Sequence, residues 1–360
     1  MATTVNTHPA GTHSTDIRSV EATQLRADLI ERIGGYMTAH AIGVAAEIGI
    51  ADHIGDRTRT SAELATVTGT HQPSLRRLLR MLAAVGVTTE PEPDRFGLTP
   101  VGAQLRSDSP DSLRAFTRMF CHPALFASWN GLAHTIATGD RAFAHVHGSE
   151  FYDHLADHPQ MSALFNEAMS EESRVSAARL ANSYDFSGVN TIADLGGGDG
   201  TLLAAILSTR PGLRGIVFDT PSGVAEAPAV LEKAGLLDRC EVRSGSFFSD
   251  IPIDADLYII KSVLQDWSDE DALAILRSCR AQIPSDATLL IVGTVLPDTA
   301  AATAPIMFFT DVNMLVNTGG SERTESEFHT MLSDAGFTVR SVERGAAGPL
   351  SIITAVPMPG

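Results

Sequence analysis

A chain of 360 residues, 44% hydrophobic and 19% charged, is long enough for two globular domains with sizeable cores. Its formal net charge of −17 repels phosphates, which argues against nucleic-acid and anionic-membrane partners. The three cysteines, Cys121, Cys240 and Cys279, lack metal-ligand spacing and are too few for a disulfide framework, a pattern that suits a reducing cytoplasm.

Met1 to Ser19 is polar, rich in Thr and His and without an apolar segment, so it is not a secretory signal; residues 1–19 are expected to form a disordered tail. No apolar run reaches membrane-spanning length, and no internal repeat is visible. Residues 20–108 read as a first domain. Leu25, Leu29, Ile33 and Met37 fall at helical spacing, and Ile42, Ala45, Ala46 and Ile48 continue after a short break, so two helices are expected between Val20 and Ile54. The Leu25–Met37 stripe suits either a dimer face or internal core. Thr60-Ser61-Ala62-Glu63 has the form of a capping box, with Leu64 and Val67 on one face of the helix it starts. A turn at His71-Gln72-Pro73-Ser74 leads into a helix from Leu75 to Leu82. After Gly86 come Val87-Thr88-Thr89, a charged turn from Glu90 to Arg95, and Phe96-Gly97-Leu98-Thr99.

Helix, turn, helix and hairpin in this order make a winged helix. Arg76, Arg77 and Arg80 on its second helix raise the possibility of DNA binding. The wing, however, sets Glu90, Glu92 and Asp94 against a single Arg95, whereas a DNA reader shows a basic face. A dimerisation and substrate-covering module is the better reading. Residues 109–183 then read as a helical linker and substrate-covering segment, with helix breaks at Pro110, Gly139-Asp140 and Pro159. Phe165 and Met169 are four apart and share a helix face; composition alone makes them core residues. His122, His134, His145, His147, His154 and His158 fall in this region without convincing ligand spacing, so no metal site is expected.

Residues 184–360 alternate short apolar runs with helical patterns. Ile192–Leu195, Gly215–Phe218, Cys240–Arg243, Leu257–Lys261 and Leu289–Gly293 read as strands. Leu202–Leu207, Ala225–Ala234, Asp269–Ala281 and Glu325–Ala335 read as helices. Alternation of this kind makes an α/β, Rossmann-like doubly wound sheet with its ligand at the carboxyl ends of the strands. Thr338–Arg344 and Leu350–Val356 are expected to close it as an antiparallel pair.

The segment Thr191 to Gly200 is a buried strand running into a glycine-rich turn and straight into a helix. Glycines let the backbone turn sharply and approach a ligand, and the helix start presents free N–H groups. Asp219 ends the next apolar run at the spacing where an acidic residue grips ribose hydroxyls. Thr201 replaces the small third residue of a dinucleotide motif, and Asp194 and Asp199 bracket the turn. Two carboxylates are poor neighbours for a pyrophosphate but suit an ammonium or a sulfonium. The nucleoside to expect is S-adenosylmethionine.

The order winged helix, helical segment, then Asp194-Leu195-Gly196-Gly197-Gly198-Asp199-Gly200 resembles the plant-type family of small-molecule O-methyltransferases, which includes caffeate, isoflavone and hydroxyindole enzymes and bacterial natural-product tailoring enzymes. Phe218-Asp219, Gly245-Ser246-Phe247-Phe248, Lys261 to Asp269, Thr294-Val295-Leu296-Pro297 and Gly319 to Thr324 extend the likeness, which runs from about Leu29 to Val356. The resemblance implies a class I methyltransferase domain and a homodimer built on the N-terminal winged-helix dimerisation domain. It also implies residue roles. Asp194, Gly196 and Gly198 belong to the loop at the methionine part of S-adenosylmethionine, and Asp219 is the ribose carboxylate. Ser246 and Phe247 flank adenine, where relatives often have Asp and Met. Lys261 ends the strand whose backbone lies beside adenine, and Trp267 packs there. Phe165, Met169, Asn313, Met314 and Asn317 correspond to positions in the acceptor pocket.

One departure bears on the chemistry. The family's general base is a histidine in a Leu-His-Asp-Trp setting, and this chain has Gln265 there. Of the two glutamates that orient the histidine, Glu322 is present and the other position is Gly293. A primary amide donates and accepts hydrogen bonds but has no usable basicity. Gln265 can hold an acceptor without deprotonating it, and Asp266 is a weak base better suited to a structural role. Gln265, Asp266 and Glu322 are therefore the candidate catalytic positions. They leave three readings: a methyltransferase working by alignment on an amine, a carbon nucleophile or an acidic hydroxyl; a member that uses the sulfonium as a fixed charge without transferring methyl; and a silent binding subunit.

Overall fold

The structure is a computed structural model and describes residues 12–248, 251, 253–300 and 305–359, with side chains from residue 22. The chain divides into two compact units, Met1–Arg106 and Ser107–Gly360.

The first unit contains helices α1 (Thr12–Ile33), α2 (Gly35–Glu47) and α3 (Ile50–Ile54), followed by strand β1 (Arg59–Thr60). Helices α4 (Ser61–Thr68) and α5 (Gln72–Ala84), strands β2 (Thr88–Glu92) and β3 (Arg95–Leu98), and α6 (Pro100–Ala103) complete it. Thr12 to Ser19, expected in the tail, lie in α1; residues 1–11 of that stretch are outside the described residues. Three helices rather than two precede the winged helix, because Gly49 turns left-handed, at φ 66°, between α2 and α3. The capping box is present: Glu63 N donates to Thr60 Oγ1 at 3.2 Å and Thr60 N donates to Glu63 Oε2 at 2.7 Å.

Leu75, Leu79 and Leu82 bury one face of α5 against Leu64 and Phe96. The wing is a three-stranded antiparallel sheet in the order β1-β3-β2. Two arginines of α5 are committed to its acids, Arg76 to Asp94 at 3.2 Å and Arg80 to Glu90 at 3.3 Å. Leu25, Leu29 and Ile33 of α1 are exposed, so within one chain the apolar stripe is a surface and not core.

The second unit opens with short helices α7 (Arg114–Phe120), α8 (Pro123–Trp129), α9 (Leu132–Thr138), α10 (Ala142–His147) and α11 (Phe151–Asp157), then the long α12 (Pro159–Ser183). Pro159 sits in the first turn of α12, where its missing N–H costs nothing. Then follow β4 (Thr191–Leu195), α13 (Thr201–Thr209), β5 (Arg214–Asp219), α14 (Ala227–Lys233), β6 (Cys240–Ser244) and β7 (Leu257–Lys261). Beyond a 3₁₀ turn at Leu264–Asp266 come α15 (Asp269–Gln282), β8 (Thr288–Gly293), β9 (Val295–Leu296), α16 (Ile306–Asn317) and β10 (Arg323–Thr324). The chain ends with α17 (Glu325–Asp334), β11 (Phe337–Ala347) and β12 (Leu350–Pro357).

Seven strands form one sheet in the order β11-β12-β8-β7-β4-β5-β6, parallel from β8 to β6 and antiparallel at β12 and β11. Both faces are covered, so the strands alternate between two cores. Ala193, Ile216, Tyr258 and Leu289 pack with Ile275 and Leu332 on one side, and Ile192, Val217, Ile259 and Leu290 pack with Leu203 and Leu180 on the other. The chain winds outward from β4 to β6 and then crosses back to β7. The sheet order therefore reverses between β4 and β7, which sets a crevice at their carboxyl ends. No helix among the described residues is long and apolar enough to cross a membrane.

Candidate active site

Strand parity assembles the charges of the crevice. Side chains two apart on a strand share a face, so the pattern that buries Ile192, Val217 and Ile259 toward α12 and α13 carries Asp194, Asp219 and Lys261 to the same face. The turn after β4 can be made only of small residues. Gly196 has φ 84°, and a Cβ there would run into a Val263 methyl. A Cβ on Gly197 would stand 2.8 Å from Asp194 Oδ2. At the start of α13, Asp199 Oδ1 accepts from Thr201 N at 3.0 Å, which satisfies one of the free N–H groups of the helix end.

These residues line a cavity of about 430 Å³. Asp194 is buried, and among the described residues neither carboxylate oxygen has a hydrogen-bond partner. Burial lifts its pKa to about 7; the Lys261 ammonium opposes the rise, and Asp219 and Asp199 add to it. Asp219 is held by backbone, accepting from Gly198 N at 3.0 Å and from Thr220 N at 2.6 Å. Its carboxyl is also raised, first by burial and against those two bonds. Lys261 Nζ donates to Glu172 Oε2 at 3.2 Å and to Ser173 Oγ at 3.0 Å, both on α12. The wall thus carries several carboxylates against one ammonium that is already paired.

That donor set answers to S-adenosylmethionine. An orphaned buried carboxylate and an acid-rich wall suit a ligand bearing an ammonium and a sulfonium, because a buried charge needs an opposite partner. The glycine turn leaves room for it. Asp194, Gly196, Gly198 and Asp219 line this end, and Ser246, Phe247 and Trp267 line the same cavity. Trp267 meets the Phe248 ring edge-on at 5.0 Å and lies parallel to Tyr152 at 6.2 Å. Ser262, also on the wall, has φ 53°, a left-handed backbone rare for a side-chain-bearing residue and typical of functional sites.

The expected acceptor positions divide. Phe165 and Met169 line the cavity while their inner sides pack on the Phe151 and Leu155 cluster, so each serves core and pocket together. Asn313, Met314 and Asn317 lie on α16, which also packs against the 3₁₀ turn of Gln265 and Asp266, and do not line this cavity among the described residues. That helix packs against α8, α9 and α10. Asn313 Oδ1 accepts from Trp129 Nε1 at 3.1 Å and from Asn317 Nδ2 at 2.9 Å, and the Met314 carbonyl closes the helix end.

Gln265 and Asp266 point to different spaces, because successive residues of a 3₁₀ turn are about 120° apart. Asp266 reaches the main cavity. Gln265 borders a separate void of about 10 Å³ with Gly293, Thr294 and Glu322. Among the described residues nothing lies within 4 Å of where a Cβ on Gly293 would stand. Burial, then the charge of Asp266, pushes the Glu322 carboxyl up to about 8, against a hydrogen bond with Thr294. Burial lifts Asp266 to about 6, while a hydrogen bond from Tyr152 pulls it down.

Tyr152, Glu172 and Ser173 were not foreseen. The last two had a visible signal: Phe165, Met169, Glu172 and Ser173 follow the i, i+4, i+7, i+8 spacing of one helix face. Tyr152 had none, since only tertiary contact brings α11 over the cavity.

Comparison with known proteins agrees with this architecture. Residues 129–338 match the O-methyltransferase domain and residues 30–108 match the O-methyltransferase dimerisation domain. The chain is 41% identical over 334 residues to an O-demethylpuromycin-O-methyltransferase of Streptomyces alboniger, covering 92% of this chain and 89% of that protein. It is 40% identical over 340 residues to a phenazine O-methyltransferase of Lysobacter antibioticus, covering 94% and 98%. An O-methyltransferase from neocarzinostatin biosynthesis, solved in complex with S-adenosylmethionine and 2-hydroxy-5-methyl naphthoic acid, superposes with a TM-score of 0.76 at 35% identity, covering 89% of this chain and 96% of that one. With its acid-lined glycine cradle, its doubly wound sheet and these matches along nearly its whole length, the chain belongs to the O-methyltransferase family and is an S-adenosylmethionine-dependent methyltransferase.

Proposed function

We propose that the protein transfers the methyl of S-adenosylmethionine to a hydroxyl of a flat aromatic small molecule in natural-product biosynthesis, as a homodimer in the cytoplasm. The observation that carries this reading is the continuity of one cavity. Its acidic end, at Asp194 and Asp219, suits the cationic cofactor, and it runs without a wall into an aromatic end at Tyr152, Phe165 and Trp267. The Tyr152 ring stands nearly perpendicular to Phe165, at 87°, and nearly parallel to Trp267, at 14°, a set of faces suited to a flat ring. The relatives named above act at oxygen, which favours a hydroxyl over an amine or a carbon centre. The exposed Leu25, Leu29 and Ile33 stripe supplies an apolar dimer face, and Cys121, Cys240 and Cys279, in no disulfide among the described residues, are consistent with a reducing compartment.

When bound, the cofactor supplies an electrophilic methyl on sulfur. Asp194 lies where it would meet the ammonium or sulfonium charge, and Asp219 where it would accept from ribose hydroxyls. Phe165 and Met169 hold the acceptor face from α12. Trp267 and Phe248 add aromatic surface to the same cavity. Holding two reactants in line in a dry cavity accounts for much of the barrier reduction in such displacements.

The test incubates purified protein with S-adenosylmethionine and a panel of hydroxylated naphthoates, phenazines and quinones. S-adenosylhomocysteine should form in step with an O-methylated product. Product formed without S-adenosylhomocysteine would sink the proposal, as would N- or C-methylation in preference to oxygen.

A further inference from the structure

We propose that Asp266 takes the proton of the acceptor hydroxyl, and that Tyr152 is the positioning residue that aims its carboxylate into the cavity. This rests on the reading of the cavity as a hydroxyl-methylating site. Position 265 carries an amide and borders the separate void, and no histidine lines the main cavity among the described residues. A phenol with a pKa of about 10 is almost wholly protonated at neutral pH, so another group must accept its proton.

Among the described residues six carboxylates line the cavity; four are committed or placed elsewhere, and Asp153 is exposed on the first turn of α11, which leaves Asp266. Asp219 has an oxygen on each of two backbone N–H groups. Asp199, which accepts from Thr201 N, and Glu172, paired with Lys261, stand at the glycine-turn end with the cofactor cradle. Asp194 sits behind the glycine turn, at the cofactor end. Asp266 stands at the aromatic end, where Tyr152 Oη donates to its Oδ2 at 2.6 Å. Among the described residues no hydrogen bond engages Oδ1, so that oxygen can receive a proton from an acceptor lying on the aromatic faces.

The support of this carboxylate is rigid. Arg323, 2% exposed, donates to the Leu264 carbonyl at 2.8 Å and to the Trp267 carbonyl at 3.0 Å, clamping the turn on both sides of Asp266. Asp269 Oδ1 accepts from Arg323 Nη2 at 2.8 Å and from Nε at 2.9 Å. A reacting group held by such a second layer keeps its geometry through turnover.

The ionisable neighbours favour the same assignment. Tyr152 faces Asp266 from α11 and Glu322 faces it from beside β10, while Asp219 acts on Tyr152 across the cavity. Burial, then the charge of Asp266, keeps the Tyr152 phenol protonated well above its ordinary range, so Tyr152 is a donor and not a competing base. Glu322, at about 8, is mainly protonated at neutral pH, whereas Asp266, at about 6, is mainly ionised. Two carboxyl groups whose environments separate them in this way identify the base.

The step balances. The acceptor O–H proton passes to Asp266 Oδ1, the freed oxygen pair forms the new O–C bond, and the pair of the broken C–S bond stays on sulfur to give the neutral thioether. The proton then leaves Asp266 to solvent.

The experiment compares wild type, Asp266→Asn and Tyr152→Phe on two acceptors of one shape, an ordinary phenol and one made acidic enough by ring substituents to be ionised in the assay. Asp266→Asn should lower kcat/KM about 100-fold or more on the ordinary phenol and less than about threefold on the acidic one, since general-base help matters only while the proton is present. Equal losses on both would show a structural residue and overturn the proposal. The wild-type rate on the ordinary phenol should fall below about pH 6. In Tyr152→Phe that fall should move to higher pH, because the lost hydrogen bond had been stabilising the carboxylate; an unmoved profile would remove Tyr152 from the proposal.

A second readout needs no turnover. Infrared spectra of the acceptor-free protein should show a carboxyl band that titrates near pH 6 and is missing in Asp266→Asn; a wild-type protein without this band overturns the assignment. Failure of the underlying reading looks different: the wild type would bind S-adenosylmethionine yet form no S-adenosylhomocysteine with any hydroxyl acceptor.

Discussion

Asp194→Asn should make the cofactor-free protein more stable and a poorer binder at once. The wild-type carboxylate is 1% exposed, has no hydrogen-bond partner among the described residues, and is lifted from 3.8 to about 7 chiefly by burial. At about 1.4 kcal/mol per pKa step, that interval corresponds to about 4 kcal/mol. The folded value lies above the unfolded one, so the group favours folding fully below about pH 4, and the contribution is lost as pH rises to about 7. The carboxamide copies the shape of the protonated acid and never ionises. Urea unfolding should therefore show the variant gaining on wild type by about 3 kcal/mol between about pH 5 and pH 8. Calorimetry should show the reverse for ligand. Wild-type affinity for S-adenosylmethionine should strengthen as pH rises through about 7, because a cation beside Asp194 expels its proton, and the variant should bind more weakly with no such pH dependence. A variant that gains no stability at pH 8 relative to pH 5 would refute the claim that this carboxylate carries an uncompensated desolvation cost.

Three further outcomes are expected. Gly196→Ala forces a Cβ onto a Val263 methyl at a positive φ, and should cost about 1–3 kcal/mol by thermal or urea unfolding; adding Val263→Ala should recover only the steric part, and full recovery would mean that the backbone is not strained. Asp219→Asn keeps the size of the side chain but loses its charge, and should weaken cofactor binding by about 1.5–3 kcal/mol in calorimetry; an unchanged Kd would exclude a hydrogen bond from ribose to this carboxylate. Gln265→His should not abolish methyl transfer and, together with Gly293→Glu filling the open space beside it, should extend turnover toward less acidic phenols. Collapse of all activity in Gln265→His alone would reveal a specific role for the amide.

The elements that could be read from the sequence are those set by neighbours along the chain. Leu257–Lys261 alternates into two cores because both sheet faces are covered, and its expected and observed bounds coincide. The Thr60–Glu63 box and the glycine turn at Gly196 are equally local. What escaped depends on distance along the chain. Tyr152 meets Asp266 across 114 positions, and no periodicity records such a meeting. The hydrogen bonds that join Asn313 to Trp129 and to Asn317, two positions expected in the pocket by resemblance, likewise leave no periodic trace. The roles of residues 265 and 266 turned on a 120° rotation within a turn of three residues, which spacing alone does not reveal.

The acid-lined wall also bears on what happens after the reaction. Methyl transfer erases one positive charge, since a sulfonium becomes a thioether, while Asp194, Asp219 and Asp266 stay where they are. A unit charge about 5 Å from a carboxylate is worth about 3 kcal/mol at an effective dielectric of about 20. Turnover thus discharges the grip that gathered the reactant, and the spent nucleoside leaves a site no longer electrostatically matched to it. The ratio of the affinities for S-adenosylmethionine and S-adenosylhomocysteine reads this directly: it should exceed one and shrink in Asp194→Asn, and tighter binding of the thioether than of the sulfonium would contradict it.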